Sequence, residues 1–248
     1  MKRGEVVIGT FLKFNSAALV EMLAYTGFDF IIIDGEHSNF TSPEMENIIR
    51  TANGAGNDVV IRIPSSCEEH VLHAADMGAQ GVQIPSITAV EEAKSAVEEM
   101  RYYPNGKRGF ALTQRAAKYT FMGKEEYFKH SEDNVLSIVH VENLEMVAKV
   151  EELCKIPQID VLFIGPGDLS QAIGHPGELN HPEVVALVED ITKTALANGK
   201  MVGVFCGSKA DIKKYSKIGI QYIAFGSDLS MIASKFKEVA QDLIALKA

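Results

Sequence analysis

Asp34, Glu36 and His37 stand within four residues, directly after the apolar run Phe-Asp-Phe-Ile-Ile-Ile. Ionisable groups crowded at the end of a hydrophobic run are costly to desolvate unless they serve one another or a ligand. The bland reading is a solvated turn with one capping carboxylate. Arg62 sits near the end of Val-Val-Ile-Arg-Ile-Pro, and an arginine in an apolar run needs an anionic partner, either a structural carboxylate or a substrate. His140 and Glu142 are two residues apart in Val-His-Val-Glu-Asn and share one face of a strand. Asp168 follows the turn Gly165-Pro166-Gly167, which permits close backbone approach, at the start of a new helical segment. Exposed backbone N–H groups there can hold an anionic substrate. Glu142 and Asp168 together, completed by waters, suit a hard cation such as Mg²⁺ or Mn²⁺. No set of His and Cys has the spacing of structural zinc. A histidine that removes a proton, an arginine that holds a carboxylate and a metal that polarises a carbonyl serve bond making or breaking through an enolate.

These residues fall at the ends of runs that read as strands. The strand candidates are 6–11, 28–33, 59–63, 81–84, 135–140, 161–164, 201–205 and 222–225. Helical periods fill 17–25, 43–53, 68–77, 89–101, 144–153, 182–197, 209–217 and 229–247. Eight such pairs predict an α/β chain folded as a (β/α)₈ TIM barrel, a single domain over residues 1–248, with chemistry where strands run out into loops. A doubly wound open sheet is the alternative. Residues 102–134 interrupt the rhythm with a mixed basic and aromatic stretch, read as a long functional βα connection.

The net charge of −9 argues against nucleic-acid binding, and no apolar run reaches membrane-spanning length. The start, MKRGEVVIGTFL, is basic but carries no long apolar segment or cleavage site, so no signal peptide is read. Three cysteines, Cys67, Cys154 and Cys206, suggest a reducing cytoplasm. Cys206 reads as a buried, inert thiol. His70 and His73 read as a solvated or capping helix face, while His175 and His181 flank a Pro-Gly loop at the entrance.

Taken together, GTFLKF, IDGEH (33–37), the arginine of VIRIP, ADMGAQGVQIP (75–85), YYPNGKRG (102–109), HVEN, GPGDLS and AFGSDLSMI resemble the HpcH/HpaI family of class II, metal-dependent pyruvate aldolases. The resemblance covers nearly the whole chain. It implies a (β/α)₈ barrel, with Glu142 and Asp168 as ligands of Mg²⁺ or Mn²⁺, Co²⁺ being a further option. It implies that Arg62 contacts pyruvate and steadies its enolate, and that the backbone of Gly167 and Asp168 holds the pyruvate carboxylate. His37, paired with Asp76, would move a proton through a metal-bound water, with Asp34 and Glu36 as supporting residues. Arg115 matches an arginine at the distal end of the aldehyde. The resemblance further implies a homo-oligomer, a trimer or a hexamer built from trimers, whose last helix is exchanged between subunits. Two features depart from the family: His140 stands where many members carry Gln, and Phe40 makes the rim more apolar.

The expected reaction is cleavage of a 4-hydroxy-2-oxo acid to pyruvate and an aldehyde. The rivals are a CoA-ester lyase or another enolate-forming lyase on the same barrel, and a non-catalytic protein that binds metal and oxo acid. A Schiff-base aldolase would need a buried amine. Its candidate, Lys13, reads as part of an open loop beside Asn15 and Ser16.

Overall fold

The computed structural model describes residues 5–247; residues 1–4, the basic start noted above, and residue 248 lie outside it. Eight parallel strands close on one another in sequence order. They are β1 Val7–Leu12, β2 Phe30–Asp34, β3 Asp58–Arg62, β4 Gly81–Ile84, β5 Leu136–Val141, β6 Val161–Ile164, β7 Met201–Cys206 and β8 Tyr222–Ser227. The helices are α1 Ala17–Tyr25, α2 Ser42–Gly54, α3 Glu68–Asp76, α4 Val90–Glu98, α5 Lys124–Asn134, α6 Leu144–Val147, α7 Val150–Cys154, α8 Pro166–Ala172, α9 Pro182–Ala197, α10 Lys209–Lys217 and α11 Asp228–Ala245. The closed barrel replaces the open-sheet alternative, because β8 pairs with β1 from Val7↔Tyr222 onward.

Period-two alternation divides the core. Phe11, Phe30, Ile32, Val60, Ile138, Phe163 and Tyr222 point inward and fill the barrel. Ile31, Ile33, Val59, Ile61 and Val139 point outward beneath the helices. Gly9 exists because the Phe30 ring occupies its side-chain space: a Cβ there would lie 2.3 Å from the ring. The same alternation, continued past the packed layers, aims Lys13, Asp34, Arg62, His140 and Glu142 along the axis toward the C-terminal ends of the strands.

Three elements differ from expectation. Residues 144–153 form two short helices, since Lys149 leaves helical geometry between α6 and α7. Residues 102–134 hold a 3₁₀ turn, Arg115–Thr120, and α5, a helix not anticipated in that stretch. This excursion follows α4 and precedes β5, so it is an αβ connection at the N-terminal end of the barrel, opposite the expected site. The reading of it as a βα connection is corrected on that ground. The last helix, α11, leaves Phe236, Leu243 and Ile244 exposed, as is Leu246 just beyond it.

Candidate active site

Asp34 ends β2, fully buried, directly across the ladder from Arg62 at the end of β3. Arg62 grips Asp34 Oδ1 through Nε (3.0 Å) and Nη2 (2.7 Å) and reaches Glu36 Oε2 through Nη1 (2.9 Å). Its guanidinium lies 4.7 Å from the centre of the Phe11 ring. The other Asp34 oxygen takes the Lys13 ammonium. Backbone N–H groups of Glu36 (3.2 Å) and His37 (3.0 Å) donate to Oδ1 as well. Burial pushes the Asp34 carboxyl up, but the Arg62 charge, the Lys13 bond and the His37 N–H outweigh it and hold the group below its ordinary value. Asp34 is thus an anionic post on which two cations are oriented. Lys13 is not in an open loop: its backbone N–H and that of Phe14 donate to the buried Asp228 carboxylate at 3.0 and 2.9 Å.

Glu142 continues the inward face of β5. Its Oε1 accepts the Ser86 N–H at 2.6 Å, and its Oε2 lies 3.0 Å from His140 Nδ1. His140 is buried, leans on Phe163 at 4.7 Å between centroids, and places Nε2 3.3 Å from Gln83 Oε1. Gln83 in turn donates to the Tyr222 hydroxyl at 3.1 Å. The imidazole is a hydrogen-bonding buttress between Gln83 and Glu142. Burial would raise the Glu142 carboxyl, yet the neighbouring His140, the Ser86 N–H and Arg62 bring it down to about 2. Ser86 has φ +58°, a left-handed conformation uncommon outside glycine, and its hydroxyl reaches Glu36 Oε1 at 3.2 Å. That strained residue ties the Glu142 carboxylate to the Glu36–Arg62 pair.

Asp168 opens α8. Among the described residues its carboxylate accepts no hydrogen bond, and desolvation followed by the like charge of Glu142 pushes it above its ordinary value. Both carboxylates close over Gly165: a Cβ there would meet Glu142 Oε2 at 3.2 Å and Asp168 Oδ2 at 3.3 Å. A low carboxylate and one that its charge raises, above a cradle that only glycine leaves empty, form an oxygen donor set suited to a hard divalent ion.

Lys13, His37, Arg62, Glu142, Gly165, Gly167 and Asp168 line one cavity of about 270 Å³, together with the rings of Phe11, Phe163 and Phe205. Six of the residues singled out from sequence therefore meet: His37, Arg62, His140, Glu142, Gly167 and Asp168. Two do not. Asp76 ends α3 at the other end of the barrel, where Arg108 binds it, so His37 and Asp76 do not pair within one chain. Arg115 is on that far side too, donating to Met77 O (2.9 Å) and Asn53 Oδ1 (3.0 Å) in a hollow of about 660 Å³. Cys206 is buried and its thiol is pushed up to about 12, in keeping with an inert side chain. His70 is taken by the Ser65 hydroxyl at 2.9 Å. Sequence reasoning set Lys13 aside as open loop and missed Gln83 and Ser86. The period of β1 marks Lys13 as inward, two residues after Phe11, whereas nothing in the residue types announces the backbone of Ser86.

Comparison with known proteins agrees with this geometry. Residues 7–234 match the model of the family described as HpcH/HpaI aldolase/citrate lyase. The chain is 33% identical over its whole length to a 2-dehydro-3,6-dideoxy-6-sulfogluconate aldolase from Pseudomonas putida, 95% of which is covered. It is 32% identical, over 95% of its own length and 91% of the relative's, to a 5-keto-4-deoxy-D-glucarate aldolase from an Enterobacter species (strain 638). A crystal structure of an HpcH/HpaI aldolase/citrate lyase family protein from Burkholderia cenocepacia J2315 superposes with a TM-score of 0.90 at 30% identity, covering 97% of this chain and 95% of that one. Among the described residues no helix is long and apolar enough to cross a membrane. With a family match across nearly all of its length and a barrel that superposes on a solved member, the chain belongs to the HpcH/HpaI aldolase/citrate lyase family of carbon–carbon lyases.

Proposed function

We propose that the protein is a metal-dependent aldolase that cleaves, or forms, a 4-hydroxy-2-oxo acid, with pyruvate and an aldehyde as its products. The convergence of Glu142 and Asp168 over Gly165, beside Arg62 and the Gly165–Asp168 turn, carries this reading. Glu142 and Asp168 would hold the ion, Mg²⁺ or Mn²⁺ with Co²⁺ as a further candidate, which supplies Lewis-acid polarisation of a 2-oxo group. Backbone N–H groups of Gly167 and Asp168 receive the substrate carboxylate. Arg62, held in place by Asp34 and Glu36, faces the oxygen on which negative charge develops. In the cleavage direction the 4-hydroxyl proton passes to the His37 side, by way of a water, and the C3–C4 bond breaks. Its electron pair stays on C3 as the pyruvate enolate while C4 becomes the aldehyde carbon. A proton returned to C3 completes pyruvate. Phe11, Phe163 and Phe205 keep bulk water from the enolate.

The test is exchange of the pyruvate methyl protons in D₂O, followed by NMR, which asks for enolate formation without the aldehyde. Exchange is expected with Mg²⁺ or Mn²⁺ and lost with EDTA. The citrate-lyase half of the family description keeps a CoA-ester lyase as a second reading. Turnover of an acyl-CoA with no methyl exchange on pyruvate would favour it, and pyruvate binding without exchange or turnover would favour a binding protein.

His37 and Asp76 act together only if they come from different copies. The exposed apolar side chains of α11 and the solvent-open hollow around Arg115 support a homo-oligomer, a trimer or hexamer, in which Asp76 and Arg115 of one copy serve the His37 site of another. The three free cysteines support a reducing cytoplasm as its location. His37→Ala and Asp76→Ala should each be nearly inactive, and subunits mixed from the two should regain activity because some sites then receive both native groups. A mixture that assembles, by light scattering, yet stays inactive would dismiss the pair.

A further inference from the structure

A second set of ligating side chains lies outside the cavity described above. Among the described residues His175, Glu178 and His181 bring one donor atom each within 4.8 Å of one another. The two imidazoles stack face to face, 3.5 Å between centroids and 17° between planes. They belong to the loop His-Pro-Gly-Glu-Leu-Asn-His, which joins α8 to α9. Its shape is built rather than slack. His175 N donates to Ser170 O (2.8 Å), Glu178 N to His175 O (3.0 Å) and His181 N to Glu178 O (2.9 Å). The buried Ser170 hydroxyl accepts the Gly177 N–H at 2.9 Å, and Gly177 takes φ +80° to make the turn. Folding the loop therefore brings both rings and the carboxylate to one side without help from a ligand. Among the described residues the one hydrogen bond to either ring, from Glu183 N to His181 Nδ1, spans 3.4 Å and competes weakly. Glu178 Oε2 stands 4.0 Å from His175 Nδ1, close enough for one ion to draw both in.

We propose that His175, Glu178 and His181 form a second metal site, separate from Glu142 and Asp168, that selects a borderline transition ion such as Zn²⁺, Co²⁺ or Ni²⁺. Two imidazoles and one carboxylate with an open position are a donor set for such ions, whereas Mg²⁺ prefers oxygen alone. The site has a consequence for the neighbouring cavity. Leu179, between the ligands, packs 4.0 Å from the side-chain positions of both Gly167 and Gly207. An ion at the loop fixes Leu179 over the turn that faces the substrate carboxylate.

The experiment is equilibrium dialysis of the full chain against Zn²⁺ in a large excess of Mg²⁺, with the retained Zn²⁺ counted by mass spectrometry. Wild type is expected to retain one Zn²⁺ per chain, and Asp168→Asn, which disables the hard-cation site, should retain it too. His175→Gln and His181→Asn should lose it; the asparagine keeps a side chain able to cap α9. Zn²⁺ should also raise the thermal midpoint of wild type and of Asp168→Asn, and leave the two loop variants unmoved. Equal Zn²⁺ in wild type and loop variants, or loss of Zn²⁺ in Asp168→Asn alone, would overturn the proposal.

Discussion

Asp168→Asn should lower metal-dependent methyl exchange on pyruvate by about 10³-fold or more, the scale on which preorganised electrostatic groups and metals act. Its carboxylate is on the solvent side of the cavity, accepts no hydrogen bond among the described residues, and carries a raised pKa through desolvation and Glu142. A carboxyl with a raised folded-state pKa favours the fold below its unfolded value, and that advantage is lost as pH climbs through the folded one. At neutral pH the ionised group therefore works against the fold until a cation arrives. Removing the charge should leave the metal-free thermal midpoint unchanged or higher, and should abolish the rise that Mn²⁺ in a Mg²⁺-free buffer gives the wild type. A variant less stable without metal would make the carboxylate a structural one. Undiminished exchange would remove it from the ligand set.

Arg62→Ala should be damaging to stability and activity together. Arg62 is 12% exposed and is bound to a carboxylate with no exposure at all, so its loss leaves Asp34 with Lys13 as its remaining charged partner. Breaking a buried pair from one side costs about 3–5 kcal/mol. The same change removes the cation that faces the developing enolate, for a further loss of about 10²–10³ in rate. The pH dependence separates the two effects. In the wild type the Asp34 carboxyl is held low, so its contribution is full above its unfolded value of about 4 and disappears as pH falls through the lower folded value. Without Arg62, burial dominates, the folded value moves up, and the variant gains relative stability on acidification. Urea midpoints for the two proteins should therefore lie far apart at pH 7 and converge toward pH 4. A gap that widens on acidification would contradict the assignment of Asp34 as an ionised post, and Arg62→Lys should recover part of the stability but not the bidentate grip.

The strands, the inward face of each and the residues at their ends were legible from the sequence alone. Branched apolar runs separated by helical periods dictate the alternation, and period two then carries Asp34 and Arg62, or His140 and Glu142, to the axis. Both are local properties of the chain, set by backbone geometry within a few residues. Partnership was not legible. An arginine in an apolar run needs an anionic partner, a structural carboxylate or a substrate, but only the ladder register puts Asp34 opposite Arg62. Lys13 looked exposed beside Asn15 and Ser16, until closure of β8 onto β1 brought Asp228 beneath its backbone. Asp76 and Arg115 carried the right motifs, yet barrel direction sends them to the far end. The left-handed Ser86 that holds Glu142 is a strain which the surrounding tertiary contacts impose and no residue type encodes. What the sequence determined by itself is each side chain's place along its own strand or helix. Which side chains meet was decided by closure of the barrel, because those distances span tens to hundreds of residues and depend on every strand between.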